Sequence, residues 1–153
     1  MDRLRLALDV ERVHGQRPLA ELLEADGYEV ERRVVADDRA AITAALVQLA
    51  DATALVLTTG GTGLGPRDVT PEATAEGLDR PAPGIAEAIR ADSVAKTPHG
   101  LLSRGVAGVR GTTLVVNLPG STGGCRDGYA VIRPALEHAL SLLAGGETAH
   151  RQT

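Results

Sequence analysis

The segment Thr58-Thr59-Gly60-Gly61-Thr62-Gly63-Leu64-Gly65-Pro66-Arg67-Asp68-Val69-Thr70-Pro71-Glu72-Ala73-Thr74 follows a short apolar run, Ala54-Leu55-Val56-Leu57. The run predicts a buried strand, and Thr70-Pro71-Glu72 predicts the start of a helix. A strand, a glycine loop and a helix start together make an anion cradle. Glycine lets backbone N–H groups approach a ligand closely, and a helix N-terminus adds roughly half a positive charge. The expected guest is a phosphate or a phosphorylated small molecule.

Two common nucleotide loops do not fit. Gly60 and Gly65 have the spacing of the phosphate-loop ATPases, but Pro66-Arg67 stands where lysine and a hydroxyl are needed. Gly61, Gly63 and Gly65 give G-x-G-x-G rather than the dinucleotide G-x-G-x-x-G. At the loop's end, Thr70 is expected to cap the helix, Pro71 suits its first position and Glu72 complements the dipole. Asp68 is left over. A carboxylate beside a phosphate site repels the ligand unless a cation or proton lies between, which points to Mg²⁺. The plainer alternative is a glycine-rich turn with a local Arg67/Asp68 ion pair.

The chain has 153 residues, enough for one domain over 1–153. It shows no run of ~18 apolar residues and no basic-then-apolar leader, so the expectation is a cytoplasmic protein without a membrane partner. The single cysteine, Cys125, excludes an intramolecular disulfide and reads as a small filler. A net charge of −4, no Phe or Trp and only Tyr28 and Tyr129 argue against nucleic acid as partner. A core of Ala, Val, Leu and Ile fits a sheet covered by helices, and oligomerisation would add to its burial.

Working outward, Leu4, Leu6, Leu8 and Val10 alternate as a first strand, residues 18–25 read as a helix ended by Gly27, and 28–35 as a second strand. Asp37 or Asp38 can cap a helix over 39–50, and 54–58 is the third strand. This alternation predicts a parallel sheet with the site at the strands' carboxyl ends, where Asp37 and the glycine loop both fall. Pro81-Ala82-Pro83-Gly84 breaks the chain before a helix over 85–94. Residues 101–109 and 113–118 read as an antiparallel hairpin through Arg110-Gly111-Thr112. A second glycine loop, Pro119-Gly120-Ser121-Thr122-Gly123-Gly124, precedes a helix over 127–143, and two cradles suit a ligand with two polar ends. From about residue 145 a frayed tail is expected. The fold class is therefore three-layer α/β/α, mostly parallel with one antiparallel hairpin.

Residues 58–74, Pro83-Gly84 with Glu87 and Arg90, Leu102-Ser103-Arg104, residues 107–111 and Asn117-Leu118-Pro119-Gly120-Ser121 resemble the molybdenum-cofactor biosynthesis proteins of the MoaB/Mog type, the molybdopterin-binding domain family. The resemblance covers roughly residues 19–143. It implies a trimer or hexamer that binds molybdopterin, a pterin with a dithiolene and a terminal phosphate. In the active branch, Mg²⁺ and ATP adenylylate that phosphate with release of pyrophosphate; other members of the MoaB branch bind or act as scaffolds without evident catalysis.

By the same resemblance Asp68 and Asp37 match the carboxylates that would hold Mg²⁺ and serve catalysis. Thr59, Gly60, Gly61, Thr62 and Gly63 would cradle phosphate, while Ser103, Pro119, Gly120 and Ser121 would contact the pterin side. Glu87 and Arg90 would support the site or a subunit contact, or simply form an i, i+3 pair. Other molybdenum-cofactor enzymes are the implied partners.

Two departures stand out. The segment Asp9-Val10-Glu11-Arg12-Val13-His14-Gly15-Gln16-Arg17 lacks the family's serine-aspartate pair and longer glycine-acidic loop on the nucleotide side. Thr122 stands where many relatives have proline, so a more flexible second loop is expected. Ser93-Val94-Ala95-Lys96 matches S-x-x-K without its companion motifs and is discounted. His14, His99, His138 and His150 show no clustering, so a transition-metal site is not expected, and His99 stands near the Ser103 segment.

Overall fold

The computed structural model describes residues 8–10 and 16–145. The expectations for Leu4, Leu6, residues 11–15 and the tail beyond Gly145 lie outside these residues. In chain order the elements are β1 (Leu8–Val10), α1 (Gln16–Ala25), β2 (Arg33–Val35), α2 (Arg39–Ala52), β3 (Leu55–Thr59) and α3 (Thr70–Gly77). They continue with β4 (Arg80–Pro81), α4 (Pro83–Lys96), a 3₁₀ turn (Pro98–Leu102), β5 (Ala107–Arg110), β6 (Thr113–Leu118) and α5 (Thr122–Leu143).

The described strands form one mixed sheet in the order β2-β1-β3-β6-β5-β4. Its first four strands are parallel, β5 is antiparallel to β6, and β4 is antiparallel to β5. Leu55 and Leu57 of β3, with Leu114, Val116 and Leu118 of β6, pack against Leu19 and Leu23 of α1, Ile89 of α4 and Tyr129, Ile132 and Leu136 of α5. Val56 and Val115, one residue out of phase, pack on the other face against Ile42, Leu46 and Leu49 of α2 and Ala73 of α3. The period-two alternation of strand side chains divides the apolar residues into two cores. This is the three-layer α/β architecture. With α1 and α2 on opposite faces, the sheet opens a crevice at the carboxyl ends of its parallel strands.

Tyr129, 2% exposed, fastens α5 to the turn after α1 by donating its hydroxyl to the Asp26 carboxylate, which also pairs with Arg133. Burial first, and then that hydrogen bond, raise the Tyr129 pKa well above its ordinary value. Tyr129→Phe is expected to lower unfolding free energy by about 1–2 kcal/mol, read from denaturant midpoints.

Several elements depart from expectation. Residues 101–102 belong to the 3₁₀ turn rather than a strand, and β5 begins only at Ala107. Thr97 takes the turn's first N–H, from His99, through its hydroxyl, which favours local turn chemistry over strand pairing. Of the expected break at residues 81–84, Pro81 instead ends an edge strand, Arg80–Pro81, a position where proline's missing donor is tolerated, and Pro83 already opens α4. The second strand is confined to Arg33–Val35. The last helix starts at Thr122, not residue 127, because Ser121 caps it by accepting from the Gly124 N–H at 3.0 Å. Thr122, Gly123 and Gly124 are thus helical rather than a flexible loop. A Cβ on Gly124 would sit 2.7 Å from the Pro119 ring, so glycine there lets the helix start close to the second loop.

Candidate functional site

Parallel strands place their following segments at one edge. Asp37 follows β2, residues 60–69 follow β3, and residues 119–121 follow β6. Gly60 and Gly61 have φ of 86° and 68°, the left-handed region that glycine enters without steric cost. This turns the chain sharply off β3 while the Gly60 N–H still reaches the Leu118 carbonyl at 3.2 Å. The loop closes where the Thr70 N–H meets the Gly61 carbonyl, also at 3.2 Å.

Thr70 does not cap α3. Val69 occupies the cap position, and the Thr70 hydroxyl is buried without a hydrogen-bond partner. Asp68 folds back on its own loop, one carboxylate oxygen accepting from the Gly65 N–H at 2.9 Å. The alternative Arg67/Asp68 ion pair does not form among the described residues. Asp38 caps α2 by accepting from the Ala41 N–H at 2.9 Å, so Asp37 is spared that role.

The loops enclose two clefts. The first, about 480 Å³, is lined by Thr62, Gly63, Lys96, His99, Ser103, Pro119, Ser121 and Asp127 among others. The second, about 510 Å³, is lined by Asp37, Gly60, Gly61, Thr62, Gly63, Asp68 and Gly120 with residues 65–67. Thr62 and Gly63 belong to both and form the wall between them. Thr59 is fully buried at the end of β3 and lines neither cleft, and Gly120 faces the second cleft while Pro119 and Ser121 face the first. Lys96, bridging Asp92 and Asp127 at 2.9 and 3.4 Å, spans α4 and α5 along the first cleft. His99 lines this cleft as well.

Mg²⁺ is commonly held by one or two carboxylates completed by phosphate and water oxygens. Asp37 and Asp68, facing one cleft, fit that requirement, and no cluster of three or more His, Cys, Asp or Glu suited to a metal occurs among the described residues.

Arg104 has a larger part than its place in the sequence indicated. Its Nε donates to the Gly63 carbonyl at 2.8 Å, Nη2 to the Asp68 carbonyl at 2.6 Å, and Nη1 pairs with Glu72. Arg90 holds the next turn by donating to the Ser103 and Gly105 carbonyls at 3.3 and 2.8 Å, in place of an i, i+3 pair with the exposed Glu87. Beneath the loops, Asn117 donates to the hydroxyls of Thr58 and Thr74 at 2.8 and 3.0 Å and accepts from the Val106 N–H at 3.0 Å. Cys125 is the buried filler expected, its thiol directed at the Pro119 carbonyl.

The hydrogen bond from Arg104 holds the Glu72 carboxyl below its ordinary value of 4.5, against the opposing effect of desolvation. A depressed carboxylate contributes stability that is present above its unfolded pKa and lost as pH falls through the folded one. Denaturation midpoints are therefore expected to fall more steeply on acidification below pH 4.5 in the wild type than in Glu72→Gln. Parallel profiles would refute the assignment.

Such a fold defines an α/β protein with two adjoining clefts at the carboxyl edge of its parallel strands. The family model described as "Probable molybdopterin binding domain" matches residues 14–138. The Mog molybdopterin-biosynthesis protein of Mycobacterium ulcerans superposes with a TM-score of 0.89 at 41% identity, over 95% of this chain and 99% of that one. The molybdopterin-biosynthesis enzyme MoaB of Thermus thermophilus does so with a TM-score of 0.85 at 43% identity, over 95% and 98%. A molybdopterin adenylyltransferase of Helicobacter pylori is 37% identical over 132 residues, 85% of this chain and 74% of the relative. The chain spans only 12%, 16% and 36% of the length of three larger relatives that it matches. It belongs to the molybdopterin-binding domain family of molybdenum-cofactor biosynthesis, of the MoaB/Mog type.

Proposed function

We propose that the protein binds molybdopterin in the first cleft and Mg²⁺-ATP in the second, and transfers the adenylyl group onto the pterin's terminal phosphate. The observation that carries this reading is the shared wall: Thr62 and Gly63 line both clefts, so a phosphate at that wall lies next to whatever fills the other side. A phosphate oxygen of molybdopterin attacks the α-phosphorus, the bond from that phosphorus to the bridging oxygen breaks, and pyrophosphate leaves. The backbone N–H groups at residues 61–63 would position the phosphates, the Gly60 N–H being taken by the Leu118 carbonyl, and Asp37 and Asp68 would hold the cation. Bound Mg²⁺ supplies charge neutralisation on the phosphate oxygens. The experiment is incubation with molybdopterin and Mg²⁺-ATP while pyrophosphate is measured. Release above a buffer control is expected; none, from folded protein that binds the pterin, would sink the proposal.

A second reading is a pterin-binding scaffold of the MoaB kind. The segment at residues 9–17, without the family's serine-aspartate pair, favours it. Tight Mg²⁺-ATP binding by calorimetry would count against it.

The proposal extends to assembly and place. Val94, Leu101 and Leu102, 39%, 71% and 49% exposed, offer apolar surface that a homotrimer or hexamer would cover. No helix among the described residues is long and apolar enough to cross a membrane. The reaction would then run in the cytoplasm, with other enzymes of cofactor assembly receiving the product.

A further inference from the structure

The two residues common to both clefts are held by one arginine. The Arg104 N–H donates to the Thr62 carbonyl at 2.8 Å and its Nε to the Gly63 carbonyl, also at 2.8 Å. Its Nη2 reaches the Asp68 carbonyl at 2.6 Å, at the far end of the same loop. One guanidinium therefore fixes both ends of residues 63–68 in the second cleft, while its chain neighbour Ser103 lines the first. Between those anchors residues 64–67 are all exposed, Leu64 by 66%, so packing does little to order them.

Resting on the two-cleft reading above, we infer that Arg104 is a positioning residue that couples the clefts, so that filling the first raises the second's affinity for nucleotide. A ligand against Ser103 and the Thr62-Gly63 wall steadies Arg104 and, through it, the loop that carries Asp68. The ordering entropy lost on the first binding event is then not lost again on the second. Linkage requires the effect to be reciprocal. Lysine cannot replace the arginine, because a single ammonium lacks the planar fork that spans two carbonyls and the Glu72 carboxylate.

The test titrates Mg²⁺ with α,β-methylene-ATP, in which the bond to be cleaved is blocked, into wild type, R104K and R104Q by calorimetry, with and without saturating molybdopterin. In the wild type, pterin is expected to tighten nucleotide binding ~10-fold, and nucleotide to tighten pterin binding equally. In both Arg104 variants each ligand still binds, and the factor falls to within ~2-fold of unity. Wild type that binds both ligands without coupling, or variants that keep the wild-type factor, would overturn the inference. Wild type that binds neither ligand would overturn the two-cleft reading itself. Should the Arg104 variants not fold, E72Q removes the charged partner and leaves the three carbonyl contacts, so its factor should stay within ~2-fold of wild type. Loss of coupling in E72Q would overturn the carbonyl clamp.

Discussion

Asp68→Asn is expected to lower the rate of pyrophosphate release at least ~10²-fold, because a charged group that stabilises a transferring phosphoryl centre is worth several kcal/mol. The substitution is nearly isosteric. An asparagine carbonyl oxygen can still accept from the Gly65 N–H that Asp68 now holds at 2.9 Å, so the loop keeps its shape. What it loses is a negative charge in the cleft that Asp37 also lines. The defect should therefore appear in turnover at saturating Mg²⁺-ATP and leave thermal stability near the wild-type value. A wild-type rate in this variant would remove Asp68 from the mechanism.

Asn117→Ala is expected to cost about 3–4 kcal/mol of unfolding free energy. Asn117 is 4% exposed and lies on β6 directly beneath the site. Its amide donates to two threonine hydroxyls, both on residues with 0% exposure, and its carbonyl oxygen accepts from the Val106 N–H. Truncation strands that half-buried N–H and the two buried threonine hydroxyls, worth about 1–3 kcal/mol, and leaves a cavity where the side chain stood. The network ties β3, β6, α3 and the turn before β5, so both cleft walls should loosen with it. Chemical denaturation measures the effect; a loss below about 1 kcal/mol would mean the network contributes little.

The strand over Leu55–Thr59 and the helix from Thr70 were legible because an apolar run and Thr-Pro-Glu punctuation are local signals. The pairing of Asp37 with Asp68 in one cleft followed from topology, since parallel strands bring their carboxyl ends to one edge. Leu101 and Leu102 misled because apolar residues read as strand, whereas here they are exposed on a 3₁₀ turn. Gly123 and Gly124 hid the start of α5, as weak helix formers do, although Ser121 was the available cap signal. The Thr70 expectation missed because a capping residue and the first helical residue differ by one position. Arg104 could not be read at all in its clamping role. Its partners are backbone carbonyls 36 and 41 residues earlier, and carbonyls carry no sequence signature.

The central claim is that two clefts sharing one wall bring a pterin phosphate against the α-phosphorus of ATP. Following ATP labelled at the α-phosphorus tests it most directly. The account predicts label on the pterin in amounts equal to the pyrophosphate released, dependent on Mg²⁺ and sharply reduced by Asp68→Asn. Pyrophosphate release with the label recovered only as free AMP, or no transfer from protein that binds both ligands, would contradict it.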